Sequence, residues 1–519
     1  MMCFINIILI FYYIIFMEAV KYNIITHLLH YFIDDVIKNG DNKPSIFSIY
    51  TYTYFQFIFN INALFNPKLK PYDDHVIIPK SYYSLKNICG NQPQLNKSIF
   101  LKALIFYGHQ AFMTTLYSNY SHINLRLCDF FIEDPNINVN YINLIQELAK
   151  LHIDGKREII DTVKKSNNTA QWGFPCDITG KPDFKLRNPC GFEPFVIPNG
   201  TFVDDNGYPN IDINYSNTFD ICNYNDRNFG DIPGLIANIK SDQFSYINDM
   251  VLSGWENGLN SEINNIVSIS EKLDIKQKTI ADFLTFHGTN TLPISGFWII
   301  IAMHMSHRYN QSLENDIIMY FYLSMGLYDG TISYHYLKSK YNTARPIQLI
   351  RYYLKDTCIK SWVPAVNIGA KWIPYQPLTN ISPSSPDVIC ENSVISHIST
   401  AIIEWWFKTS KLYDPFITVS LPNPHILSKS LPIENKIMRI GEFIFNKGPI
   451  SIEKKLNIPD SIILSYNTIH NLKEDCNYAS LYAGISTNKS VEIGKKLGDN
   501  IGNLCKLYFE NIIGIKSHY

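Results

Sequence analysis

The chain has 519 residues, with Lys plus Arg at 45, Asp plus Glu at 46 and a formal net charge of −1. An apolar share of 46% supports a sizeable buried core and excludes an acidic disordered chain. The near-zero charge excludes a nucleic-acid partner held by phosphate neutralisation, which needs a basic surface. The length suits two to four compact units or one large helical body.

Taken in order, residues 1–16 form an apolar run shorter than the ~18–20 residues a spanning helix needs. No basic segment precedes it and no clear cleavage site follows it, so signal, loose anchor and spurious start ahead of Met17 all stay open. Source and compartment are unknown: a soluble protein is expected, with secretory entry open. Residues 17–169 read as an N-terminal helical part: Ile24, Ile25, Leu28, Leu29, Phe32, Ile33 and Val36 recur at helical spacing within 21–64, and 97–115 and 141–165 read alike. Across 170–232 Pro, Gly, Asn and Asp become dense and periodicity disappears, which marks a loop-rich segment. Helical patterns return over 233–519, at 246–273, 278–286, 296–307, 313–337, 393–408, 433–445 and 479–513. Strand signals are few. The expected fold is therefore mainly α, with helices packed as bundles, and no segment is expected to span a membrane.

The 10 Cys are scattered, without Cys-x-x-Cys or paired Cys/His spacing, so zinc and redox motifs are absent. His304 and His307 stand three apart on a helix, but no carboxylate signature accompanies them, and core or surface histidines are the simpler reading. No metal site is expected.

The most informative segment is Leu327 to Pro346, in which Lys338 and Arg345 are separated by six residues and Pro346 follows. A Lys late in one helix and an Arg seven residues on can aim two cations at one anion. This segment resembles the Lys-x6-Arg-Pro motif of the vanadium haloperoxidase and type 2 phosphatidic acid phosphatase superfamily. Asp329, nine residues before the Lys, and the upstream Ile280-Ala-Asp-Phe and Pro293-Ile-Ser-Gly-Phe-Trp patterns look like the soluble haloperoxidase branch. The resemblance implies helical bundles of the vanadium haloperoxidase and acid phosphatase type, with an oxyanion cradle.

That cradle looks incomplete. The family's Pro-Ser-Gly-His motif aligns with Val394-Ile395-Ser396-His397, which leaves His397 as the acid–base candidate and puts a bulky Ile395 where a hydroxyl is needed and Ser396 where the family has Gly. The family's Ser-Arg-x5-His motif aligns with 479–486, where Ser480 replaces the Arg and Ser486 replaces the His that binds vanadate or acts as nucleophile. His335, one turn before Lys338, is a candidate pocket wall.

Three readings stay open. One is a haloperoxidase-fold protein that has lost the family chemistry and serves a structural or binding role, with a small oxyanion as a residual ligand at Lys338, Arg345 and His397; no cofactor is then expected. The alternative is an active vanadium haloperoxidase-like or phosphatase-like enzyme with a rearranged site, in which vanadate would be needed and Ser486 would lie within reach of His397. The third is an unrelated helical scaffold in which Lys338, Arg345 and His397 do not converge. The resemblance also allows a homo-oligomer.

Overall fold

A computed structural model describes residues 23–72, 97–165, 227–285, 291–420 and 437–512, apart from short gaps within these ranges, together with the strand pair at 197–198 and 219–220. The expected N-terminal apolar run, Met17 and most of the loop-rich segment lie outside these residues.

Thirteen helices are described, and the fold is mainly α as the periodicity implies. The N-terminal group comprises α1 (Ile24–Lys38), α2 (Pro44–Ala63), α3 (Lys97–Leu116) and α4 (Val139–Lys165). Asn23 caps α1 through Thr26 N, and Pro44 opens α2 at a position where no N–H is missed. The second group comprises α5 (Tyr246–Asn257), α6 (Leu259–Glu271), α7 (Ile275–Leu284), α8 (Ile294–Arg308), α9 (Leu313–Tyr341), α10 (Pro346–Tyr353), α11 (Glu391–Phe407), α12 (Ile469–Tyr482) and α13 (Asn488–Ile512). Among the described residues, no helix is long and apolar enough to cross a membrane.

Four small antiparallel strand pairs complete the described elements. They are β1 (Ile197–Pro198) with β2 (Phe219–Asp220), β3 (Asp414–Ser420) with β4 (Ile437–Ile440), β5 (Glu442–Phe445) with β8 (Ile462–Ser465), and β6 (Gly448–Pro449) with β7 (Asn457–Ile458). The helical reading of 433–445 is thereby corrected. Gly441 turns the chain at φ +80, and β5 alternates half-buried and buried residues, which is the period of a strand. The pattern read as one helix over 479–513 is likewise two, broken where Gly484 adopts φ +71.

One apolar core runs from Ile24 to Phe509, so α2 of the first group packs directly on α9 of the second. Helix α9 is buried nearly throughout; its N-cap is Ser312, and Asn342 ends it in the left-handed region. Helix α11 lies between two glycine faces. On one side Gly326 and Gly330 of α9 admit Ile398 and Ile395. On the other, Gly494, Gly498 and Gly502 of α13 recur every fourth residue, and a Cβ on Gly498 would stand 2.6 Å from both Val394 O and the His397 Cβ. Backbones therefore approach closely, and the N-terminal end of α11 is fixed against the ends of α9 and α12.

Candidate functional site

Within the Leu327 to Pro346 segment the first buried charge is Asp329. Its Oδ1 accepts from Leu235 N at 2.6 Å, and its Oδ2 accepts from Ile236 N and Ala237 N at 2.7 Å each. Three main-chain donors thus hold a fully buried carboxylate and fasten the 234–237 turn to the helix.

Two and a half turns on, Lys338 is 1% exposed and donates to Pro386 O at 2.6 Å and to Asp387 O at 3.5 Å. Burial, reinforced by the Arg345 charge, pushes its ammonium down to about 8, against the pull of Glu391 and Asp387. Arg345 follows the helix as the residue before Pro346 and is 3% exposed. Its Nε donates to Ser385 O at 2.6 Å, Nη1 to Ile485 O at 2.8 Å and to Ser486 Oγ at 3.5 Å, and Nη2 to Ser385 Oγ at 3.1 Å. These contacts take up four of the five N–H groups that a guanidinium carries. Arg345 therefore ties the 385–387 segment to the α12–α13 connection. Asp387 reinforces the tie: its Oδ2 accepts from Thr487 N at 3.0 Å and Thr487 Oγ1 at 2.7 Å, and its Oδ1 lies 3.7 Å from Arg345 Nη1.

Lys338, Arg345, Cys390, Glu391, Asn392, Ser480 and Ser486 line one cleft, with Pro383 and Ile485. Its free space, mouth included, is about 220 Å³, and the enclosed part holds about one water. Ser480 Oγ accepts from Asn392 Nδ2 at 3.3 Å and from Cys390 Sγ at 3.6 Å.

The other candidates lie elsewhere. His397 is on α11 but does not line the cleft; its Nδ1 is 2.7 Å from Asp499 Oδ1 and its Nε2 is 3.3 Å from Asn477 Nδ2. No hydrogen bond joins it to Ser486, whose partner is Arg345. Ser396 accepts from Trp298 Nε1 at 2.9 Å, and Ile395 is wholly buried toward Gly330. His335 packs edge-on against Phe229 at 5.8 Å and tilted against Tyr334 at 4.5 Å. Burial pushes His335 down to about 3; the Glu391 charge opposes this and the Lys338 charge adds to it. His304 is buried in the core, which also takes it to about 3. Among the described residues, no three His, Cys, Asp or Glu side chains group as a metal site.

Sequence reasoning missed the groups that face the cations. Four are backbone carbonyls, of Ser385, Pro386, Asp387 and Ile485, which leave no mark in a sequence. Asp499 and Asn477 are distant in the chain from His397. Glu391 and Asn392 stand at the start of α11, where a helix N-terminus beside the motif could have drawn attention to them.

The cleft does not fit vanadate as the family resemblance would require. Among the described residues no imidazole lines it, Ser480 stands where the second Arg is needed, and both cations are bonded to main-chain oxygens. The Glu391 and Asp387 carboxylates also offset the two positive charges.

No curated protein matches the chain in sequence. Residues 318–514 match the family described as the VCPO second helical-bundle domain. A holo-type bacterial vanadium-dependent chloroperoxidase is similar in structure with a TM-score of 0.62 and 13% identity, covering 91% of this chain and 93% of that one. Its apo-type structure gives a TM-score of 0.61, with 12% identity and coverage of 91% and 95%. A bacterial vanadium-dependent iodoperoxidase gives a TM-score of 0.55 at 12% identity, with coverage of 93% and 95%. The domain match over α9 to α13 and the likeness over nearly the whole length give the chain a mainly α fold of the vanadium haloperoxidase type.

Proposed function

We propose that this chain is a haloperoxidase-fold protein that has lost the vanadate and phosphate chemistry of its family and serves a structural or binding role. The observation that carries this reading is the bonding of Arg345, whose donors go to Ser385 O, Ile485 O and two serine hydroxyls. An incoming tetrahedral oxyanion would have to displace those contacts and then find neither a second Arg nor a His. Each missing charge-assisted contact is worth roughly 1.5–3 kcal/mol. Two or three of them lower oxyanion affinity by about three orders of magnitude or more. A residual anion pocket would therefore be weak.

The test is orthovanadate titration followed by ⁵¹V NMR, alongside bromide and chloride oxidation with peroxide. The expected result is no bound vanadate signal at micromolar protein and no halide oxidation above buffer. Turnover that disappears in Lys338→Ala would overturn the reading.

One observation favours the alternative of a rearranged enzyme: the carboxylate of Asp499 orients the His397 imidazole at 2.7 Å, as an acid–base pair requires. That alternative predicts halide oxidation or phosphoester hydrolysis that is lost in His397→Ala and retained in Ser480→Ala.

A further inference from the structure

Lys338 is a buried amine in a cleft with an open mouth, and its surroundings differ from those of an ordinary core lysine. Its hydrogen bonds run to two carbonyls, Pro386 O and Asp387 O. A neutral amine has two N–H groups, so both bonds survive deprotonation and the third tetrahedral direction is a lone pair. A neighbouring cation, Arg345, disfavours protonation, as does burial. The half-buried carboxylate of Glu391 lines the same cleft and can accept and return a proton, while Ser480, which accepts from Asn392, keeps its own O–H to offer to a carbonyl oxygen. Carboxylates offset the cations, so the cleft suits an uncharged ligand better than an anion.

We propose that Lys338 is a nucleophilic amine and that the cleft takes a small neutral aldehyde, held as a Schiff base. The Lys338 nitrogen bonds to the carbonyl carbon as the C=O π pair moves to oxygen. Glu391 carries the amine proton to that oxygen, giving a carbinolamine. Loss of water then forms the C=N bond, so amine plus aldehyde gives imine plus water with no change of oxidation state. The protonated imine keeps one N–H for Pro386 O. The inference rests on the reading that the cleft no longer holds a tetrahedral oxyanion.

The experiment treats the full chain with acetaldehyde and sodium cyanoborohydride near pH 7 and follows N-ethylation of each lysine by peptide mass spectrometry. An amine that titrates near 8 has a neutral fraction roughly three-hundredfold above that of an ordinary lysine at this pH. The narrow mouth takes back part of this. Lys338 is expected to be labelled about tenfold faster than Lys360, whose side chain is 82% exposed, and its labelling rate should rise with a midpoint near pH 8. Glu391→Gln should slow labelling at Lys338 and leave Lys360 unchanged. Lys338 left unlabelled while Lys360 reacts, or labelled with no dependence on Glu391, would overturn the proposal. A parallel ⁵¹V titration keeps the two ideas apart: bound vanadate defeats the lost-chemistry reading, whereas silent vanadate with an unlabelled Lys338 defeats only the amine.

Discussion

Asp329 and Arg345 sit in the middle of α9 and just beyond its end, and the fold treats their charges alike. The carboxylate collects three amide N–H groups from 235–237, and the guanidinium spends its donors on Ser385, Ile485 and Ser486. The difference is in what remains. Around Asp329 nothing is left over, since a Cβ on Gly234 would stand 2.3 Å from Ala237 O and 3.3 Å from the carboxylate. Around Arg345 and Lys338 a cleft persists, bounded by Glu391, Asn392 and Ser480. One charge is purely a fastener of the scaffold. The other pair fastens two loops and still faces solvent-accessible space. The likeness teaches that a buried charge serves the architecture when main-chain groups satisfy it, whichever its sign.

The largest expected effect breaks the first half of this comparison. Asp329→Ala strands three N–H groups, that of Ala237 buried and those of Leu235 and Ile236 partly so, and should cost roughly 4 kcal/mol in urea unfolding. If it costs less than ~1 kcal/mol, the turn at 234–237 is held by other means. Arg345→Ala comes next, with an expected loss of roughly 3 kcal/mol, since Ile485 O, Ser385 O and the Asp387 carboxylate lose their shared partner. An unchanged midpoint would mean that Arg345 fastens nothing and is kept for a ligand. Gly498→Ala probes the frame that both charges depend on. Its Cβ would lie 2.6 Å from backbone oxygen Val394 O, and overpacking of this kind costs about 1–3 kcal/mol.

The smallest effect separates the two cations by pH. Lys338 titrates near 8 in the folded chain and near its ordinary value when unfolded, so between about 8 and 10.5 the unfolded state binds more protons. Wild type should therefore gain stability relative to Lys338→Met as pH rises through that window and run parallel to it below pH 7. A flat difference would place the ammonium in a better-solvated setting than the 1% exposure indicates.

The helical body was legible because apolar residues recur along long segments such as 24–38, which buries one stripe, and 44–63, which lies almost wholly inside. The pair Lys338 and Arg345 was legible too, since Pro346 marks where α9 gives way to α10. What escaped has a physical reason in each case. Residues 437–445 alternate over too few positions to separate strand from helix, and Gly441 alone hinted at the turn. The pairing of His397 with Asp499 depends on α13 lying against α11. The signal for that contact was present in the sequence as Gly494, Gly498 and Gly502, a small-residue face that permits close approach of two helices. The carbonyl partners of the cations had no sequence signal at all.

The engagement of Arg345 has a consequence for how such a protein could change over generations. Restoring a histidine at Ser486 would place an imidazole beside a guanidinium already bonded to the carbonyls of 385 and 485. Restoring an arginine at Ser480 would add charge to a cleft whose enclosed part holds about one water. Neither reversion gains anything alone, and the 385–387 segment would have to withdraw first. On the proposed reading of lost chemistry, drift away from the family reaction is thus easy to enter one substitution at a time and hard to retrace by the same steps.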